Sequence, residues 1–509
     1  MNMSQPEKPA MPKTFNTFRG PKMEMKRRIY KKLAIGLPIV MIGLGMAGCT
    51  DDFTDINSNP NAPVDVGVRY LLPAGIADAV NDILGTGFDR GTASVWVQHY
   101  ARLQYGDIDR YDIDGSYSDG LWAALYTGAL VDFDAIVTKA SATGNTNQAA
   151  VGRIMRAWMY HNMTDLWGNI PYTQALSGND GNITPAYDDA SSVYSAVLGE
   201  LKTASSAISA SGSLFGDAFR GTTGNPDLIY QGDMAKWQMF ANSLRLRMAM
   251  RTQNASEASA AISDGVFQAN ADDAKLSWPG MPPNENPMSP AFIQRPGDFR
   301  ISKSMVDNLV AYDDPRLSIY AEPAELTGEY RGMPNGVTDS HGIEFTEVSK
   351  VGEWFLRPNA PTWIISYAEV SLLQAEAAQR GFAGGDAASL YEAGVRASME
   401  TYGISATDID TYLAQSSVAY NAATGLDQIA QQMWFALYDQ GPEAWAYFRR
   451  TDVPNLVPGP DNVNNDKIPV RLPYPQSESS VNSANLSAAI AAQGLGSDSW
   501  NAPLFWDVP

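Results

Sequence analysis

The chain has 509 residues, with 36 Lys and Arg against 56 Asp and Glu, a formal net charge of −20, and a single cysteine. An acidic surface repels phosphate backbones and anionic lipid headgroups, which excludes nucleic acid as a partner and purely electrostatic docking on a membrane. One thiol excludes an intrachain disulfide and a multi-thiolate metal centre, while 44% hydrophobic residues with 12 Trp are enough for a large core in one globule.

The first element is a leader. Lys26, Arg27, Arg28, Lys31 and Lys32 form a basic cluster, the apolar run Leu33 to Ala47 follows, and small residues lead to Cys49. That order is a secretion signal. The run is broken by Gly36 and Pro38 and is shorter than the ~20 apolar residues a spanning helix needs. With the cysteine at its end it resembles a lipoprotein signal, in which Cys49 is acylated and becomes the mature N-terminus; Met46 departs from the usual leucine there. Several acyl chains on one residue, at ~0.8 kcal/mol per buried CH₂, hold a soluble body on a membrane. Residues 1–48, including the 24 before Met25, are therefore read as leader and signal peptide. They hold nine of the 36 basic and two of the 56 acidic residues, which leaves 27 against 54 and a charge of −27 from Cys49 onward. Gly43, Gly45 and Gly48 spell a dinucleotide fingerprint, but outside a strand–turn–helix context it carries no meaning. Asp51 and Asp52 open an acidic tether, 49–67, and resemble the signal that exports Bacteroidetes lipoproteins to the outer face of the outer membrane.

Beyond the tether the period is helical. Val193, Val197, Leu201, Ala204 and Ile208 share one face, widened by Tyr194 and Leu198. Ile154, Ala157, Trp158 and His161 do the same, as do Trp237, Phe240, Ala241, Leu244 and Met248, and later Leu426, Ile429, Met433 and Leu437. Trp158, Trp237 and Trp445 are predicted core, and His161 a packed histidine. Two helices are predicted near 366–380 and 386–401, separated by Gly381, Gly384 and Gly385. Small residues (Ala368, Ala375, Gly394, Ala397) alternate with large ones (Tyr367, Leu372, Leu390, Tyr391) along this pair, the packing logic of tetratricopeptide hairpins. The fold class is all-α, with tetratricopeptide-like hairpins packed against a loop-rich region, in one domain over 68–509.

Two stretches, about 268–362 and 451–509, lose the helical signal to clustered prolines. Loops this long in a compact domain are functional or disordered, and the aromatics of the first favour function. A sugar-binding surface needs aromatic faces against pyranose C–H groups and polar side chains for hydroxyls. Trp278, Tyr330 and Trp354, with Arg295 and Asn286, are the ligand-binding candidates; the competing reading is that each aromatic packs its own loop. The acidic run Asp107, Asp109, Asp112, Asp114, Asp119 fails the EF-hand test, because alignment on Gly115 puts Arg110 at position 1 and Leu121 at position 12. It reads as a solvated acidic turn, with irregular calcium binding the weaker alternative and metal content otherwise unknown. No catalytic residue is assigned: His99, His161 and His341 are scattered, with no H-E-x-x-H motif and no nucleophile elbow.

Several segments together resemble the SusD/RagB family of outer-membrane nutrient-binding lipoproteins, in its SusD-like branch. They are Asn57-Ser58-Asn59-Pro60-Asn61, Asp165-Leu166-Trp167-Gly168-Asn169-Ile170-Pro171-Tyr172, Gly232-Asp233-Met234-Ala235-Lys236-Trp237 leading into Phe240-Ala241-Asn242-Ser243-Leu244-Arg245-Leu246-Arg247, Tyr367-Ala368-Glu369-Val370 with Ala375-Glu376-Ala377, Glu443-Ala444-Trp445 with Arg449-Arg450-Thr451, and Arg471-Leu472-Pro473-Tyr474-Pro475. The resemblance implies a non-enzymatic, lipid-anchored protein on the outside of the outer membrane. Such a protein passes oligosaccharides or peptides to a SusC-like TonB-dependent barrel transporter, and needs no cofactor. The alternatives are a lipid-anchored helical scaffold that binds only protein and, less favoured, a glycan hydrolase, since such hydrolysis needs only two carboxylates.

Overall fold

Helix caps written into the sequence set the first half of the fold. The computed structural model describes residues 65–216, 219, 224–295, 297–339 and 341–507; the calls at Cys49, Asp51 and Asp52 lie outside them. Helices α1 (Val68–Leu84), α2 (Gly115–Thr127), α3 (Ala129–Ala142), α4 (Thr146–Trp167), α5 (Ala190–Ala207), α6 (Met234–Arg251) and α7 (Ala255–Ser263) follow in order. Asp114, Asn145, Asp189, Asp233 and Asn254 each accept a backbone N–H of the first turn of α2, α4, α5, α6 and α7, a contribution of ~1 kcal/mol apiece. Helix α1 packs on α3, α3 on α4, α4 on α5, α5 on α6 and α6 on α7. The predicted faces of α4, α5 and α6 are buried, Trp158 and Trp237 among them. Gly115–Ala142 is apolar enough to cross a membrane by composition. Gly128 divides it into two helices, however, and Leu125, Leu130, Phe133 and Ile136 are in the core.

Short helices and strands fill the proline-rich stretch. Helix α8 (Met288–Gln294) and α9 (Lys303–Ala311) lie within 268–362, which the sequence reads as irregular. Ser302 caps α9 and Met305, Val306 and Leu309 bury one side of it; nine residues between prolines are too few for a visible period. Strand β1 (Tyr100–Arg102) pairs antiparallel with β3 (Phe299–Ile301), with Ala101 opposite Arg300, and β2 (Ala274–Leu276) pairs with β4 (Thr362–Ile365). These ladders fasten the excursion to the helical body.

The second half resumes with α10 (Tyr367–Gln379), α11 (Ala387–Glu400), α12 (Ala406–Leu413), α13 (Gly425–Ala436) and α14 (Gly441–Thr451). The hairpin α10–α11 falls where the glycines predict it. A Cβ on Gly394 would lie 2.7 Å from Leu372 Cγ, so only glycine allows this approach. On α13 Ile429 and Met433 are buried, as is Leu437 at its C-cap, but Leu426 in the first turn is 36% exposed. Within 451–509, expected to be irregular, α15 (Gln476–Val481) and α16 (Ser483–Ala492) form; α16 buries Leu486 and Ala489.

Four of these helices are joined by buried charges. Arg247 on α6 makes two bonds to Glu369 on α10, at 2.6 and 2.7 Å. Arg251 pairs with Asp165 on α4 and Glu443 on α14. Glu376 on α10 receives both guanidinium nitrogens of Arg450 at 2.6 Å. Asp165, Arg247, Glu369, Glu376, Glu443 and Arg450, all in segments that carry the family resemblance, thus tie these helices together. His161 stacks edge-on to Tyr194 within this network, buried as predicted.

Candidate functional site

Four loops are pinned into one surface. The loop after β1, residues 103–114, is held by Asp109, whose buried carboxylate accepts the Arg102 backbone N–H and the Asn335 side-chain amide, both at 2.9 Å. Burial raises this carboxyl to about 6, although those donors and the Gly336 N–H pull it back. Asn335 also donates to Tyr100 O at 2.9 Å, so the loop around 331–341 is locked to β1. Gly106 N–H donates to Asp339 at 3.1 Å, and His341 Nε2 lies 3.3 Å from Leu103 O. A third loop joins through Leu103 N–H to Asp298 O at 3.2 Å. The fourth, around 457–466, is tied by Arg110 to Asp461 O at 2.9 Å and by Asp461 N–H to Gly336 O.

The ties inside this surface are polar, and its outward side chains mix acidic groups (Asp107, Asp112, Asp339, Asp461, Asp466) with a few apolar ones. Among the described residues fourteen large hydrophobics are exposed; three of them (Tyr105, Val457, Val463) lie on the loops just described, and a fourth, Phe345, packs on Gly297 next to Asp298. Tyr105 is 62% exposed and Phe345 44%. Phe345 rests against Gly297, where a Cβ would come within 2.9 Å of its ring, and Arg300 lies over it at 5.6 Å. Neither Tyr105 nor Phe345 is among the residues predicted from sequence.

The predicted residues fall on neighbouring loops with different degrees of freedom. Trp278 is half-buried and donates from its indole N–H to Thr362 Oγ1 at 2.9 Å. Trp354, in a turn of helix at Glu353–Leu356, is half-buried; it stacks on Trp363 at 5.6 Å, meets Tyr402 edge-on, and has Arg357 at 4.5 Å. The two tryptophans contact consecutive residues of β4, Thr362 and Trp363, whose side chains leave opposite faces of the strand. Tyr330 is half-buried on the segment whose neighbour Arg331 pairs with Ser349. Arg295 is exposed at the end of α8, 3.8 Å from Asp298. Asn286 is fully buried: its amide donates to Ala360 O and accepts from Met288 N–H, both at 2.8 Å. Its observed role is to fix the 281–286 turn against 358–360 rather than to face outward.

The acidic run is used by the fold. Asp109 is the loop tie, Asp114 caps α2, and Asp119 accepts from Ser477 N–H at 2.9 Å. No group of three or more His, Cys, Asp or Glu side chains among the described residues is arranged to hold a metal ion.

Residues 61–475 match the model of the family SusD-like_2, described as starch-binding and associating with the outer membrane. The chain belongs to the SusD-like family. A solved chitin-binding protein shares 28% identity over 87% of this chain and 100% of its own, with a TM-score of 0.76. A chitin-binding SusD homolog from Flavobacterium johnsoniae shares 26% over 86% and 98%, with a TM-score of 0.75. A SusD homolog from Bacteroides uniformis, at 24% identity over 86% and 100% and a TM-score of 0.76, shows the same fold. No curated protein matches the chain. The helical, tetratricopeptide-like architecture expected from the sequence is the SusD-like one.

Proposed function

We propose that this SusD-like protein is a cell-surface lipoprotein, anchored through Cys49, that captures a glycan on its loop face and passes it to a SusC-like TonB-dependent barrel. The observation that carries the reading is exposed Tyr105 on a loop that Asp109 and Asn335 tie to its neighbour, with exposed Phe345 packed on Gly297 next to the Asp298 that accepts from Leu103 of the same loop. Rigid aromatic faces cover sugar C–H groups with little loss of side-chain freedom. Trp278, Tyr330, Trp354 and Arg295 flank that surface as further contacts. The similarity to two chitin-binding proteins favours a polymer of N-acetylated amino sugars as the cargo. Binding without bond cleavage fits this geometry, and energy for uptake comes from the partner.

Affinity electrophoresis against glycans and peptides tests the capture step. Retardation by a chitin-derived glycan, with no new reducing ends, is expected. Retardation by no glycan at all, with tight binding of a protein alone, would favour the scaffold alternative.

A further inference from the structure

Two cavities meet at one tyrosine beside the loop face. The first, about 380 Å³, is lined by Ile108, Asp112, Ile113, Asp114 and Tyr117. The second, about 330 Å³, lies between α1 and α2 and is lined by Asn81, Asp82, Phe88, Tyr117 and Leu121 among others. Tyr117 stands between them, its hydroxyl bonded to Thr92. The first cavity begins in the loop that carries Tyr105, so together they continue the capture surface toward α1.

Their chemistry is one-sided. The apolar walls are Ile108, Ile113, Phe88 and Leu121, the charged groups are carboxylates, and no Lys or Arg lines either cavity. Asp82 is half-buried, and among the described residues no cation or hydrogen-bond donor pairs with it. Burial and the nearby Asp78 push its carboxyl up to about 6. A carboxylate shielded from water without a partner is costly unless something else supplies the counter-charge.

We propose that the two cavities form one groove for a sugar chain with a free amine, and that Asp82 receives that ammonium group. The inference rests on the glycan-capture reading and adds to it the class of sugar: an amino-sugar polymer that has lost some N-acetyl groups. It also implies that glycans bearing carboxylate or sulfate are turned away by Asp82, Asp112 and Asp114.

Calorimetric titration of the full mature protein with the hexamer of N-acetylglucosamine and the fully de-N-acetylated hexamer tests this. The de-N-acetylated hexamer is expected to bind about tenfold more tightly, as one shielded charge pair gives. Asp82→Asn should remove that preference, while Asp427→Asn, an exposed carboxylate on α13, should leave the preference and both affinities as they are. Equal affinity for both hexamers, or a preference that survives Asp82→Asn or falls equally with Asp427→Asn, would overturn the inference and leave glycan capture standing. Failure of both hexamers to bind would overturn both.

Discussion

Glu376→Gln removes one negative charge from the point where α10 meets α14. The carboxylate accepts two bonds from Arg450 at 2.6 Å, one from Arg380 at 2.8 Å and one from Tyr447 at 3.0 Å. Burial alone would raise this group, but Arg450 and Arg380 outweigh it and hold the carboxyl at about 2, against an ordinary 4.5. A folded-state value below the unfolded one stabilises the fold above the unfolded pKa, and that contribution disappears as pH falls toward the folded pKa. At 1.36 kcal/mol per pKa unit, the contribution is about 3 kcal/mol at pH 7 and roughly half that at pH 3. This agrees with the ~3–5 kcal/mol lost when one partner of a buried pair is removed. Urea denaturation followed by tryptophan fluorescence should show Glu376→Gln less stable by about 3 kcal/mol at pH 7, with the gap narrowing by about half at pH 3. An equal gap at both pH values would refute the reasoning, because the loss would then be packing and not charge.

Four further outcomes follow from single residues. Gly394→Ala places a methyl 2.7 Å from Leu372 Cγ and should cost ~1–2 kcal/mol by thermal denaturation. Gly384→Ala, with no atom in reach, should be close to neutral. Asn286→Ala loses two buried bonds and should destabilise by ~1–3 kcal/mol, while raising proteolytic cleavage in the 278–286 segment. Cys49→Ser should release the protein from the membrane fraction, and mass spectrometry of the wild-type N-terminus should find diacylglycerol on Cys49; an unmodified cysteine would contradict the anchor.

The helical body was legible because its signals are local. Val193 to Ile208 show one face within a single helix, and Gly381, Gly384 and Gly385 mark a turn that no packing is needed to reveal. The capture surface was not, because exposure is settled by contacts far apart in sequence. Tyr105 stands out only because Asp109 meets Asn335, 226 positions later. Trp278 and Trp354 were visible as aromatics in a proline-rich stretch, but nothing in their spacing shows that one donates to Thr362 and the other stacks on Trp363. The acidic run drew attention to 107–119 for calcium, whereas the informative residue there was its neighbour Tyr105. A tyrosine next to Gly106, at a positive backbone φ of 57°, belongs to a tight turn that displays its side chain.

The glycan-capture account meets its most direct test in the double variant Tyr105→Ala/Phe345→Ala, titrated calorimetrically with the hexamer of N-acetylglucosamine. Each lost ring face contributes ~1 kcal/mol, so affinity should fall by roughly 30-fold, while the thermal midpoint falls only slightly, through the lost contacts of Phe345 with Gly297 and Arg300. A variant that binds the hexamer as tightly as the wild-type protein would contradict the assignment of this surface as the capture site.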